Sequence, residues 1–243
     1  MTFLDKNDFD KKQLLEIKKG KKHGLSKKKI LLYANKAFDN FQMKLIRKAL
    51  ENGLSFKKTR VIANPDLDFY QMLEVSEALI NGLPLDFVSK YASGDFDFNQ
   101  LKEIFKGFEH GLAIEAIERY AKVEFYNYEM RLMRLGYEKE IDEEKVLLYI
   151  DRKFSQAQMY QIYKGAKHDL SLKQLKIYAK EEFSDEQMHM IRLCLENGYC
   201  FNNIDLEKLE KLSKLSNSYV DCLDDDVLLM AGKQKTKGLT NKK

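Results

Sequence analysis

Proline is almost missing: Pro65 and Pro84 are the only two in 243 residues. Proline breaks helix interiors, so its scarcity leaves room for long uninterrupted helices. Glycine is also sparse, at 12 residues, and together these counts exclude collagen-like, linker-like and low-complexity architectures. Three cysteines, Cys194, Cys200 and Cys222, make no disulfide framework and suit a reducing compartment, so a cytoplasmic location is expected. No apolar run approaches the ~18 residues needed to span a bilayer. Met1 to Lys12 carries acids and no apolar core, so no secretory leader is expected.

What the chain does have is a period. Phe9, Phe38, Leu67, Phe96, Phe125, Phe154 and Phe183 lie 29 residues apart without an insertion. With that residue as position 0, position 4 reads Gln13, Gln42, Gln71, Gln100, Glu129, Gln158 and Gln187. Position 8 is Ile17, Ile46, Val75, Ile104, Met133, Ile162 and Ile191, and position 15 is glycine in five of seven copies, with Glu140 and Asp169 in the others. Tyr-Ala or a close variant recurs at positions 24 and 25.

Each column has a physical role. Position 1 is Asp10, Asp39, Asp68, Asp97, Ser155 or Ser184, with Tyr126 as the exception, and a Gln follows three residues later. That is a capping box, so a first helix starts at position 2. Positions 5, 8 and 12 give its apolar stripe. Small residues at position 11 (Gly20, Ala49, Ala78, Gly107, Gly136, Gly165, Cys194) allow close approach of a neighbouring helix. The position-15 glycine ends the helix in the left-handed region. Ser26, Ser55, Asp142 and Ser171 are N-cap types for a shorter second helix, and Pro84 suits the same place. A two-helix unit this small buries its apolar face only by stacking on copies of itself. The expected fold is therefore all-α: one domain over residues 1–230, an α-solenoid of seven helix-turn-helix repeats. A terminal cap is expected at about 201–230, opened by Asp205, and a basic disordered tail at 231–243.

The pattern F-[DS]-x-x-Q-M-x-x-I-[RK]-x-G-L-x-x-G-L…Y-A, seen most fully in Phe183 to Gly198, resembles short tandem repeats in proteins of phages, plasmids and conjugative elements of Gram-positive bacteria. The resemblance covers Phe9 to about Leu206. It implies a helical repeat and no catalytic residues, since the matching columns are caps and core. It also implies a mobile-element origin, with action on a host system as the extension of that idea.

Catalytic chemistry has no foothold in the sequence. No phosphate-binding loop, nucleophile elbow, zinc-protease motif or C-x-x-C pair occurs. His23, His110 and His168 share position 14, where Asn52, Asn81 and Asn197 also stand, which marks a helix C-terminus rather than a metal or acid–base site. Asp224-Asp225-Asp226 lacks the alternating ligands of a calcium loop. No enzyme activity, metal or cofactor is expected.

Charge and aromatic placement suggest two binding modes. Residues 1–64 hold 17 Lys+Arg against 6 Asp+Glu, whereas residues 65–145 hold 9 against 18. Lys18, Lys19, Lys28, Lys29, Arg47, Lys48, Lys57 and Lys58 should stack copy on copy into a ladder that could follow phosphates. Lysine outnumbers arginine fifteen to two there, which weakens base-specific readout. Opposite blocks could also pair between chains, giving self-association. The columns that vary from copy to copy hold Phe41, Phe69, Tyr70, Phe98, Phe105, Tyr128, Tyr160 and Tyr163. Aromatic residues are enriched at interface cores. The favoured reading is thus a non-enzymatic protein binding a macromolecular partner, a protein ahead of a nucleic acid, with no membrane role.

Overall fold

In the computed structural model the described residues are 8–201 and 233–235. Among them are thirteen helices. Long ones of 12 residues are α1 (Lys11–Lys22), α3 (Asn40–Glu51), α5 (Phe69–Ile80), α7 (Phe98–Glu109), α9 (Asn127–Glu138), α11 (Gln156–Lys167) and α13 (Asp185–Glu196). Short ones of 7 residues alternate with them: α2 (Lys27–Tyr33), α4 (Phe56–Ile62), α6 (Leu85–Tyr91), α8 (Ile114–Tyr120), α10 (Glu143–Tyr149) and α12 (Leu172–Tyr178). The described residues are all-α apart from one small ribbon. Every long helix starts 29 residues after the last, as the sequence period requires.

Contacts divide the chain into two compact units, 1–130 and 131–243, with the division inside α9. In the first, α1 packs on α3, α3 on α5 and α5 on α7, while α2 and α4 pack on the long helix that follows each. In the second, α11 packs on α13, with α10 against α11 and α12 between α11 and α13. The closing helix expected after Asp205 and the Asp224–Asp226 run lie outside the described residues. Within the stretch 231–243, Lys233–Lys235 (β2) pairs antiparallel with Tyr199–Phe201 (β1). The ladder uses backbone N–H and C=O groups, which a lysine-rich segment supplies as well as any other.

The glutamine column does more than close the capping box. In copy three, Gln71 Oε1 accepts the Asp68 N–H at 2.6 Å, and Asp68 Oδ1 accepts the Gln71 N–H at 2.8 Å. The Gln71 Nε2 then donates to the Phe96 carbonyl, the first residue of the next copy, at 2.7 Å. Gln13, Gln42, Gln100 and Gln158 make the same donation to Phe38, Leu67, Phe125 and Phe183 at 2.6, 3.0, 2.7 and 2.6 Å. One amide starts a helix with its oxygen and holds the next copy with its nitrogen. A carboxylate can do only the first, and Glu129 does it, accepting the Tyr126 N–H at 2.8 Å.

The small column at position 11 also has a specific cause. A Cβ placed on Gly107 would lie 1.9 Å from the Tyr120 hydroxyl. That hydroxyl donates to the Glu103 carbonyl at 3.2 Å, and Tyr33, Tyr149 and Tyr178 repeat the bond to Glu16, Leu132 and Gln161 at 3.3, 3.1 and 3.3 Å. Glycine is therefore the partner of tyrosine. Where position 11 is Ala49, position 24 is Ile62. Ala78 stands in the same column as these glycines and Tyr91 in that of the tyrosines, and among the described residues the buried Tyr91 hydroxyl has no hydrogen-bond partner. In the glycine copies a Cβ at this position would lie 1.9–2.1 Å from the hydroxyl, so a methyl there stands in the way of the bond.

At the helix ends, Gly53 and Gly111 have φ of 87° and 82°, in the left-handed region expected of them. Glu140 and Asp169 adopt the same turn at φ 54° and 64° without glycine's freedom. The Ser26, Ser55 and Ser171 hydroxyls accept cap bonds, but the Asp142 side chain caps nothing.

Two outcomes test this reading. Gln71→Glu keeps the cap but loses the donor to Phe96, and should cost about 1–3 kcal/mol in urea denaturation. Tyr120→Phe should cost about 1 kcal/mol, whereas Tyr91→Phe should be neutral or stabilising, because only the first hydroxyl has a partner.

Candidate interaction surface

Four of the aromatic residues marked in the sequence come together. The Phe41 ring meets the Phe69 ring edge-on at 6.2 Å between centroids, Phe69 meets Tyr70 at 5.6 Å, and Tyr70 meets Phe98 at 5.6 Å. The register is simple: the ring at position 3 of one copy touches the ring at position 2 of the next. The run crosses the first turns of α3, α5 and α7. Those turns are held by their caps, since Asp39 Oδ1 accepts the Phe41 N–H itself at 2.7 Å. The rings are thus carried on a fixed backbone yet remain open to solvent, with Phe41 57%, Tyr70 61% and Phe98 38% exposed. Leu73, also exposed, extends the apolar surface one turn along α5.

The other aromatic candidates behave differently. Phe105 is buried against Phe87, and Tyr163 is buried against Tyr149, so neither offers a surface. Both sit at position 9, which is buried in every copy after the first, and that corrects the expectation for these two. Tyr160 is exposed beside Tyr163 at 6.1 Å in the second unit. Tyr128 stacks on Tyr126 at 5.7 Å with ring planes 8° apart. Tyr126, 60% exposed, was missed; its place in the cap column was the available signal.

The lysine ladder is incomplete for the same reason. Arg47 is 3% exposed. Its Nε and Nη2 donate to Glu16 Oε2 at 2.9 and 2.8 Å, and its Nη1 donates to both Glu51 oxygens at 2.7 and 2.6 Å. A buried guanidinium with four of its five N–H groups committed in this way is out of a phosphate's reach, so Arg47 leaves the list of nucleic-acid candidates. Lys19 pairs with Glu16 at 2.7 Å, and Lys58 donates to the Leu79 carbonyl at the end of α5 at 3.0 Å. Lys28 Nζ lies 4.8 Å from the centre of the Phe56 ring and stays exposed. Lys18, Lys48 and Lys57 are exposed and Lys29 is half-buried.

Sequence reasoning placed His23 and His168 at helix ends, and both are the C-cap residues there. It did not foresee their partners. His23 Nδ1 lies 2.8 Å from Glu51 Oε1, and His168 Nδ1 lies 2.8 Å from Glu196 Oε1, each 28 residues on. Arg192 in turn donates to Glu196 at 2.6 Å and to Gln161 at 3.3 Å. The recurrence of Arg and Glu four residues apart, with His one repeat back, was the legible sign. These rings join the interhelix clusters of Arg47 and Glu51 and of Arg192 and Glu196. Among the described residues no group of three or more His, Cys, Asp or Glu side chains could hold a metal ion, and no helix is long and apolar enough to cross a membrane.

Burial opposes ionisation of Glu16 and Glu51, but the hydrogen bonds from Lys19 and Arg47 to the first, and from Arg47 and His23 to the second, outweigh it and hold both carboxyls below their ordinary value of 4.5. A carboxyl whose folded pKa is lowered adds stability that is full above its unfolded pKa and is lost as pH falls through the folded one. Arg47→Leu should therefore cost about 3 kcal/mol at pH 7. The gap to wild type should shrink as pH falls below about 4.5, measured by urea denaturation across pH.

No protein-family model, curated protein or solved structure matches the chain.

Proposed function

We propose that the chain is a non-catalytic helical-repeat protein that binds another protein through the aromatic strip of α3, α5 and α7. The seven copies stack as an α-solenoid, and the surface of the first unit carries the specificity. One observation supports this above the others: Phe41, Phe69, Tyr70 and Phe98 form an unbroken chain of ring contacts that no described part of the molecule covers. Exposed large apolar side chains are ordinary when scattered, and a contiguous row of aromatic rings on capped helix starts is not. Such rings supply large contact area at low entropic cost. The likeness of the repeats to those of mobile genetic elements fits a protein that engages a host protein in the cytoplasm.

The excess of positive charge in residues 1–64 favours a second reading, a nucleic-acid surface built from Lys18, Lys28, Lys48 and Lys57. The loss of Arg47 to an internal ion cluster weakens it.

Affinity capture from the source cell, with and without nuclease, separates the two. Under the protein reading, a defined partner survives nuclease and moderate salt and is lost with Phe41→Ala/Tyr70→Ala, each truncation costing about 2 kcal/mol. Under the nucleic-acid reading, fluorescence anisotropy with duplex and single strands shows binding at low salt that reversal of the four lysines removes. Binding to neither strand at low salt rejects that reading.

A further inference from the structure

The ion cluster of α1 and α3 has a counterpart between α5 and α7 that lacks its centre. Stepping two copies along, Glu74 stands for Glu16, Asn81 for His23 and Glu109 for Glu51. The contact between the last two is kept, because Asn81 Nδ2 donates to Glu109 Oε1 at 3.1 Å where His23 meets Glu51. The arginine is gone. Its position is Phe105, which turns inward onto Phe87. A cavity of about 90 Å³ remains, lined by Glu74, Asn81, Phe105 and Glu109.

The charge in this cavity is unbalanced. Glu77 takes the place of Lys19, so three carboxylates face two ammonium groups, those of Lys102 and Lys106. Burial, with Glu77 and Glu109 adding to it, raises the Glu74 carboxyl against the pull of the two lysines. Among the described residues no hydrogen bond reaches that carboxylate. Equivalent carboxylates elsewhere in the chain do hold a guanidinium: Glu16 and Glu51 hold Arg47, and Glu196 holds Arg192.

We propose that the cavity between α5 and α7 is a pocket for an arginine side chain of a partner protein, whose guanidinium seats between Glu74 and Glu109 as that of Arg47 seats between Glu16 and Glu51. A planar fork can bridge two carboxylates, which a lysine ammonium cannot do as well. The lining of the cavity holds no arginine, and the occupant assigned here is an arginine of a partner. The proposal rests on the protein-binding reading for the source of that arginine. The pocket lies on the same two helices as Tyr70 and Phe98. Phe98 and Phe105 are seven residues apart, about 10 Å along a helix. An extended partner segment would therefore carry its arginine about three residues from the side chain resting on the aromatic strip.

The test uses the full chain and two small probes, N-acetyl-arginine amide and N-acetyl-lysine amide, with NMR of the Asn81 side-chain amide as readout. The expected result is a saturable shift, with arginine binding more tightly than lysine. Glu74→Gln/Glu109→Gln should weaken arginine binding by about tenfold or more. Phe105→Arg should abolish it by filling the pocket from within; because that change buries a charge and risks the fold, the glutamine pair decides. Equal response to both probes, no saturation, or indifference to Glu74→Gln/Glu109→Gln would overturn the proposal. Neither probe has an apolar anchor, so their failure removes the pocket alone, while loss or survival of partner capture in Phe41→Ala/Tyr70→Ala decides the protein-binding reading separately.

Discussion

A single side-chain amide, used again and again, sets the spacing of this molecule. At position 4 a glutamine oxygen closes the capping box of its own helix while its nitrogen donates to the first carbonyl of the following copy. Both ends of that amide are satisfied in a half-buried setting, where an unpaired polar group would be costly. The arrangement ties helix initiation to copy-to-copy register. A slip of one residue would break both bonds at once, which accounts for a 29-residue period kept without insertion across seven copies.

Within each copy the second constraint is steric. The tyrosine of the short helix reaches under the long helix to a carbonyl one turn before the glycine, and the glycine exists to make room. The pairs Gly20/Tyr33, Gly107/Tyr120, Gly136/Tyr149 and Gly165/Tyr178 obey this rule, and Ala49/Ile62 changes both members together. Ala78/Tyr91 changes one, at the cost of an unpartnered hydroxyl. That exception lies on α5 and α6, and α5 also carries part of the aromatic strip and of the acidic cavity.

With caps, clips and tyrosines holding the frame, the remaining columns are free to differ. Position 9 shows the range: Arg47 and Arg192 make ion clusters between neighbouring long helices, while Phe105 and Tyr163 pack on Phe87 and Tyr149 of the preceding short helix. An ion cluster is a poor source of net stability, since desolvation offsets much of the attraction. Its geometry is demanding, however, and mispairing of copies would strand a buried charge. Positions 2 and 3 differ in the opposite sense, pointing out at the helix starts, and there the aromatic residues of α3, α5 and α7 gather.

The sequence alone determined the period, the helix boundaries, the caps and the core stripe, because these depend on local spacing: a cap acts over three residues and an apolar stripe over a few turns. It marked Phe41, Phe69, Tyr70 and Phe98 as surface candidates, since they fall in first-turn columns that vary. Only the tertiary structure decided which position-9 side chains turn inward, so Arg47, Phe105 and Tyr163 were assigned to surfaces they do not occupy. It also revealed the glutamine donation, the histidine–glutamate contacts and the empty counterpart of the arginine cluster. Each joins residues 25 to 31 positions apart. Nothing local specifies such a contact; it exists only once neighbouring copies have packed and brought two helix faces within hydrogen-bond reach.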